Sequence, residues 1–186
     1  MTSVAVETYD PEWTKQFEEE AQTLAEALGG QAVIIHHVGS TAVPGMTARP
    51  VIDILVEVRD IEQVDAFNQK LEDLGYTAVG EHGVPGRRFF IKNDAVQGRT
   101  HNVYIFPLGH PEIYRMLILR DYLITHSREA EYYGFYKAEL IRRFPEDLRS
   151  YMQEKAPFIE DTLRRAEIWQ NGLGTNINQE KDQADQ

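Results

Sequence analysis

Apolar positions along this chain recur in two rhythms. Trp13, Phe17, Ala21, Leu24 and Leu28 return at helical spacing, and Asp10-Pro11-Glu12 just ahead supplies a cap, a first-turn proline and a first-turn acid. An amphipathic helix ending at Gly29-Gly30 is predicted. The β-branched run Ala32-Val33-Ile34-Ile35 then leads through His36-His37-Val38 into Gly39-Ser40, a strand feeding a glycine turn. From Val51 to Val58 the period is two: Ile52, Ile54, Val56 and Val58 make one wholly apolar side, and Val51, Asp53, Leu55 and Glu57 make the other. Asp53 is therefore a carboxylate between two apolar neighbours on a strand.

Beyond that strand, Asp60 caps a helix carrying Ile61, Val64, Phe67, Leu71 and Leu74, which Gly75 ends. Strands are expected over Tyr76–Val79, Arg88–Lys92 and His101–Phe106, then helices beginning near Pro111, Ser127 and Pro145 that cover the sheet. The chain divides into a sheet-bearing part over residues 1–108 and a helical part over 109–170 of one domain. Residues 171–186 are polar and lack apolar periodicity, which predicts a disordered tail.

Composition adds exclusions. The formal charge of −11 would repel a nucleic-acid backbone, which is bound chiefly through Lys and Arg, so DNA and RNA are disfavoured as partners. A local cluster of cations can still hold a small phosphorylated ligand, because the field in a cleft follows its own lining. The absence of cysteine removes disulfides, thiolate metal sites and cysteine nucleophiles. The start has no basic segment followed by an apolar run, and no stretch of about 18 apolar residues occurs, so the expectation is a cytoplasmic protein with no membrane partner.

Candidate chemistry centres on Gly39, Ser40 and Asp53. A Gly-Ser turn leaving a strand offers backbone N–H groups and a hydroxyl to an anion, although most such pairs are simple turns. The strand carboxylate that follows makes the pattern more specific, since phosphoryl and nucleotidyl transfer use Mg²⁺ held by carboxylates and phosphates. His101, opening a strand that can lie beside Asp53, is a metal ligand or general base, or else a hydrogen-bond partner of Asp53 or backbone. His36 and His37 face opposite sides of their strand, so at most one reaches the site. Arg49 before the Asp53 strand and Arg87-Arg88 after the Gly86 turn are candidate phosphate grips, with Arg88 preferred; the alternative is an ordinary surface charge. Lys137 and Lys155 project from packed helices, toward the sheet or into solvent. His110 and His126 sit at helix boundaries as surface or capping residues.

The stretch His37-Val38-Gly39-Ser40-Thr41, Pro44-Gly45, Arg49-Pro50 and Ile52-Asp53-Ile54 resembles the GrpB family position by position. The resemblance continues at Asp10-Pro11, Trp13, Arg99-Thr100-His101-Asn102-Val103-Tyr104, Arg120-Asp121-Tyr122-Leu123, Tyr136-Lys137, Tyr151 and Lys155. It favours His37 over His36 at the site, either in catalysis or as a residue that orients the Gly39 turn or Asp53, and adds Thr41 to the phosphate-binding turn. It also implies a fold, the α+β mixed sheet with flanking helices of the DNA polymerase beta-like nucleotidyltransferases, whose strand carboxylates hold two metals. Here the sequence departs from that pattern, because Val51 and Leu55 flank Asp53 where a second acid is usual. Glu57 shares the face but lies about 13 Å along the strand, too far for metals about 4 Å apart.

These readings give a transferase that binds a nucleoside triphosphate with Mg²⁺, its acceptor unspecified. Gly39, Ser40, Thr41, Arg49, Arg88, Lys137 and Lys155 would hold phosphate, Asp53 the metal, and His37 and His101 would assist. A non-catalytic nucleotide- or phosphate-binding module and a metal-assisted phosphohydrolase using His37, Asp53 and His101 are the alternatives.

Overall fold

A computed structural model describes residues 6–145 and 147–184 of the chain. The elements run α1 (Glu12–Leu28), β1 (Ala32–Val38), β2 (Ile52–Val58), α2 (Asn68–Asp73), β3 (Tyr76–Gly80), β4 (Arg88–Asp94), β5 (Gly98–Pro107), α3 (Pro111–Thr125), α4 (Ser127–Arg143) and α5 (Leu148–Ala184). Local chemistry sets several of these boundaries. The Asp10 carboxylate accepts the Glu12 N–H at 2.9 Å, and the Asp60 carboxylate accepts that of Glu62 at 3.0 Å. After Asp60 the expected helix divides: Glu62–Phe67 winds as a tighter 3₁₀ turn and only Asn68–Asp73 is α-helical. Strand β5 begins at Gly98, ahead of the expected His101, because Asp94 closes a hairpin by accepting the Val96 and Gln97 N–H groups at 2.7 and 2.9 Å.

At the other end, α5 starts at Leu148, after an Asp147 carboxylate that accepts the Ser150 N–H at 3.0 Å. Its backbone continues to Ala184, through most of the segment expected to be an unstructured tail. Gln, Glu, Lys and Ala there permit a helix and no proline interrupts it. Residues 185 and 186 of that tail lie outside the described residues.

The five strands form one mixed sheet in the order β1-β2-β5-β4-β3. Only the β2–β5 pairing is parallel; β1–β2, β5–β4 and β4–β3 are antiparallel. Register decides which residues share a face. Val38, Asp53, Asn102 and Ile91 stand abreast across the sheet, and His36, Leu55, Tyr104 and Phe89 form the next rank on the same side. His37, Ile54, Val103 and Phe90 point the other way.

That second face is the main core. Ile52, Ile54, Val56, Val58, Val103, Ile105 and Phe90 pack with Trp13, Leu24 and Leu28 of α1 and Leu71 of α2. Burial of this β-branched surface, at roughly 25 cal/mol per Å², is what chiefly holds these helices on the sheet. The opposite face is covered only in part. Val38, Leu55 and Phe106 meet Ile113 of α3, while α3, α4 and α5 pack on one another through Ile118, Tyr122, Tyr133 and Leu163. The remainder of that face stays open as a trough. Among the described residues no helix is long and apolar enough to cross a membrane.

Helix α4 is drawn close to the loop between β1 and β2 at Gly134, where an added Cβ would lie 3.1 Å from the Thr47 nitrogen and 3.2 Å from its oxygen. Backbone cannot yield as a flexible side chain does. Gly134→Val is therefore expected to lower stability by about 1–3 kcal/mol in urea unfolding. An unchanged unfolding midpoint would mean that this contact is slack.

Candidate functional site

Strand β1 ends at Val38, which pairs with Asp53 of β2. The next residue, Gly39, sits at φ 71° and ψ −166°, in the region that favours glycine, and a Cβ there would strike Asp53 Oδ2. Glycine is thus required twice, for the turn and for the approach of the carboxylate. Ser40 opens a short 3₁₀ turn, and buried Thr41 anchors it: its hydroxyl donates to the Val51 carbonyl at 3.3 Å and accepts from His37 Nε2 at 3.0 Å.

The parallel pairing of β5 with β2 sets two polar side chains beside Asp53. Asn102 Nδ2 donates to Asp53 Oδ1 at 2.9 Å, and the Tyr104 hydroxyl donates to the same oxygen at 3.1 Å. Arg99 donates to Asn102 Oδ1 at 2.8 Å, which fixes the amide with its nitrogen toward Asp53. One carboxylate oxygen is thereby fully engaged, and Oδ2 is left against Gly39. Burial pushes the Asp53 carboxyl up from the usual range, opposed by Asn102 and Tyr104 and then by the charges of Lys155 and Lys137. The Tyr104 phenol is pushed up by burial and by Asp53.

Around this carboxylate the trough has a volume of about 790 Å³. It is lined by the cations Arg49, Arg87, Arg99, Lys137 and Lys155, with Asp53 as their single carboxylate among the described residues. Lys137 is 4% exposed, and its ammonium nitrogen donates to Ser40 Oγ at 2.6 Å. Burial, then repulsion from Lys155, brings it down to about 7, against the pull of Asp53. Lys155 is lowered by burial and by Arg49, also against Asp53. Among the described residues none of these five cations has a carboxylate oxygen within 4.0 Å, whereas Lys15, Arg88, Lys92, Arg115, Arg120, Arg142, Arg164 and Arg165 each do. In a chain with 30 acidic residues, the trough thus sets five cations against one carboxylate.

The fold therefore brings together Gly39, Ser40, Arg49, Asp53, Lys137 and Lys155 of the expected site. It does not bring in His37, His101, Arg88 or Thr41. His37 faces the main core, stacked on Phe17 with ring centres 4.7 Å apart, and burial, then Arg120, lowers it to about 4. Its Nε2 contact with Thr41 lets it steady the turn after Gly39 from the core side, and His36, on the trough side of β1, is tied to Glu57 at 2.8 Å. His101 pairs with Ile52, one register position from Asp53, so its side chain falls on the opposite face near Lys92 and Glu20. Arg88 likewise points away and binds both oxygens of Asp65 at 2.7 and 2.9 Å. Its neighbour Arg87 is the residue in the trough. The histidine-assisted phosphohydrolase constellation is consequently not assembled. His110, as expected, caps α3 by accepting the Glu112 N–H at 3.3 Å.

The donor set does not fit a two-metal centre. Leu55 is fully buried where a second strand acid would stand, β5 offers Asn102 and Tyr104 as neutral donors, and Asp53 Oδ1 is already occupied. Among the described residues no three His, Cys, Asp or Glu side chains converge to hold a metal ion.

Comparison with known proteins agrees with this architecture. Residues 3–165 match the family described as GrpB protein. The UPF0157 protein YqkA of Bacillus subtilis (strain 168) is 38% identical over 169 residues, covering 91% of this chain and 49% of the relative, so the chain spans about half that protein's length. The crystal structure of conserved protein GrpB from Enterococcus faecalis superposes with TM-score 0.82 at 38% identity, over 89% of this chain and 99% of that one. Two distant structures share the fold. The Cid1 poly(U) polymerase has TM-score 0.53 at 15% identity, over 74% of this chain and 45% of its own. The CdnE c-di-GMP synthase from Capnocytophaga granulosa has TM-score 0.53 at 16% identity, over 82% and 63%. The sheet with its helices is thus that of the nucleotidyltransferases.

Lys137 makes the site visible in the stability of the ligand-free protein. Its folded value of about 7 lies below its ordinary 10.5, so between those values the unfolded chain binds the extra proton. Its contribution to stability rises with pH through that window, and below about 7 the folded chain carries the full cost of the buried charge. Lys137→Met is expected to melt at a higher temperature than the parent at pH 6, with the gap closing toward pH 10. A variant that melts no higher at pH 6 contradicts the burial cost.

Proposed function

This chain belongs to the GrpB family, and from that premise we propose that its trough binds a nucleoside polyphosphate. The observation that carries the reading is the set of trough cations without carboxylate partners. Buried charge left uncompensated is costly unless a counter-ion arrives, and a chain of phosphates supplies several negative charges in a row. Ser40 and the N–H groups of its turn, with Arg49, Lys137 and Lys155, would receive the phosphates. Arginine suits this role because its planar donors match phosphate oxygens in pairs. Asp53, hydrogen-bonded on one side and pressed against Gly39 on the other, keeps the lysines ordered before the ligand enters.

A second reading, transfer of the nucleotidyl group to an acceptor, is favoured by one specific feature: among the described residues Asp53 Oδ2 has no donor, and it stands beside the phosphate turn. In that reading an acceptor hydroxyl attacks the α-phosphorus, pyrophosphate leaves, and Asp53 takes up the hydroxyl proton. If magnesium travels with the nucleotide, Asp53 is the carboxylate it would meet, and binding should be measured with and without it.

Calorimetric titration with nucleoside triphosphates tests the first reading. Lys155→Ala and Arg49→Ala are each expected to weaken binding by about tenfold or more, the worth of one charge-assisted contact. Absence of binding to any triphosphate, with or without Mg²⁺, would refute it. Because a polyanion favours protonated Lys137, binding should take up more protons at pH 8 than at pH 6, read from the dependence of the heat on buffer ionisation. For the second reading, α-labelled triphosphates with candidate acceptors should give product with the parent and none with Asp53→Asn; equal product from both excludes it.

A further inference from the structure

The two ends of the trough are built differently. Along the sheet, Asp53 on β2 lies between the Ser40 end, next to β1, and a distal end on β4 and the turn before it. Arg87 dominates that distal end. Its Nε donates to the Glu81 carbonyl at 3.1 Å and a terminal nitrogen donates to the His82 carbonyl at 2.6 Å. The guanidinium carbon lies 5.1 Å from the centre of the Phe89 ring and 5.8 Å from that of Tyr104. Phe89 stacks on Tyr104 with centres 5.0 Å apart, and His82 on Phe89 at 5.3 Å.

These contacts orient Arg87 without neutralising it. Carbonyls and aromatic faces satisfy part of a guanidinium's hydrogen bonding and attract its charge, but neither is an anion. Two of its five N–H donors are used, which leaves three without a partner among the described residues. The turn that supplies the carbonyls is braced, since the Glu81 carboxylate accepts the Gly86 N–H at 2.7 Å. His82 sits at φ 44°, and it is the one described non-glycine residue in the left-handed region. Strain of this kind is kept where surrounding structure enforces it and is concentrated at ligand sites. In the trough a stack of three rings, ending at exposed His82, therefore forms a ledge beside a fixed cation that has no carboxylate oxygen within 4.0 Å among the described residues.

We propose that this ledge is a second ligand subsite, which takes a planar ring bearing a phosphate or carboxylate while a polyphosphate occupies the Ser40 end. The ring continues the stack at His82, with Phe89 and Tyr104 behind it, and the anion meets Arg87. Arg99, held by the amide oxygens of Asn93 and Asn102 at 3.2 and 2.8 Å, extends the positive field back toward Asp53. Positively charged second ligands are disfavoured by the same field. Only the simultaneous occupancy depends on the polyphosphate reading; the ledge itself does not.

Adenosine 5′-monophosphate is the probe for the ledge, and inorganic tripolyphosphate, which has no ring, is the probe for the Ser40 end. Calorimetry is run on the full chain. The monophosphate is expected to bind protein already saturated with tripolyphosphate. Arg87→Gln is expected to weaken the monophosphate by about tenfold or more and leave tripolyphosphate affinity unchanged. Phe89→Leu, which keeps an apolar side chain but removes the ring, should act in the same direction. One-for-one displacement of the monophosphate by tripolyphosphate overturns the proposal. So does equal monophosphate affinity in parent and Arg87→Gln, loss of both ligands together in that variant, or no monophosphate binding at all. Monophosphate binding that needs Arg87 in a protein indifferent to tripolyphosphate upholds the ledge and sinks the polyphosphate reading instead.

Discussion

The close approach of Asp53 to the backbone of Gly39 is the constraint on which the site depends. It fixes the end of β1 against the start of β2, leaves no room for a side chain at the turn, and sets the hydroxyl of Ser40 beside the carboxylate that lines the trough. The polar groups nearby are arranged around that acid. Asn102 and Tyr104 reach it because β5 runs parallel to β2 in one register, and Arg99 reaches it through Asn102. Lys137 and Lys155, from helices remote in sequence, line the same trough.

Much of this is legible in the amino-acid sequence, and the exceptions share a cause. The period-two pattern of β2 places Asp53 on the less apolar face, Gly39-Ser40 marks the turn, and two lysines flanked by aromatic residues do reach the sheet. Helix and strand order follows from capping acids, glycines and apolar rhythm. What a linear pattern does not contain is the pairing register between distant strands. Moving one position along β5 exchanges His101 for Asn102 as the neighbour of Asp53, and one position back from the start of β4 exchanges Arg88 for Arg87. His37 falls outside the site for the same reason: alternation says that one of two adjacent histidines faces the trough, but not which one.

The separation of charge across the molecule is the other organising feature. Outside the trough most basic side chains have an acidic neighbour, including Arg88 with Asp65 and Lys92 with Glu20, so the excess of acid is spread over the exterior. Inside, cations are held by hydroxyls, amides, carbonyls and aromatic rings. Neutral partners orient a cation while leaving its field intact, which is what recognition of a multiply charged anion calls for. The same logic explains why the shared fold need not imply shared metal chemistry. Where the superfamily pattern calls for further acids around metal ions, this chain presents leucine, asparagine and tyrosine among lysines and arginines.

A pocket of like charges with one small counter-ion stores repulsion in the empty protein. Any anion that settles there relieves it, and so adds its binding free energy to the free energy of folding. If anions do bind there, survival against heat or proteolysis will track their supply, and buffers rich in phosphate or sulfate will make the chain look sturdier than it is without them.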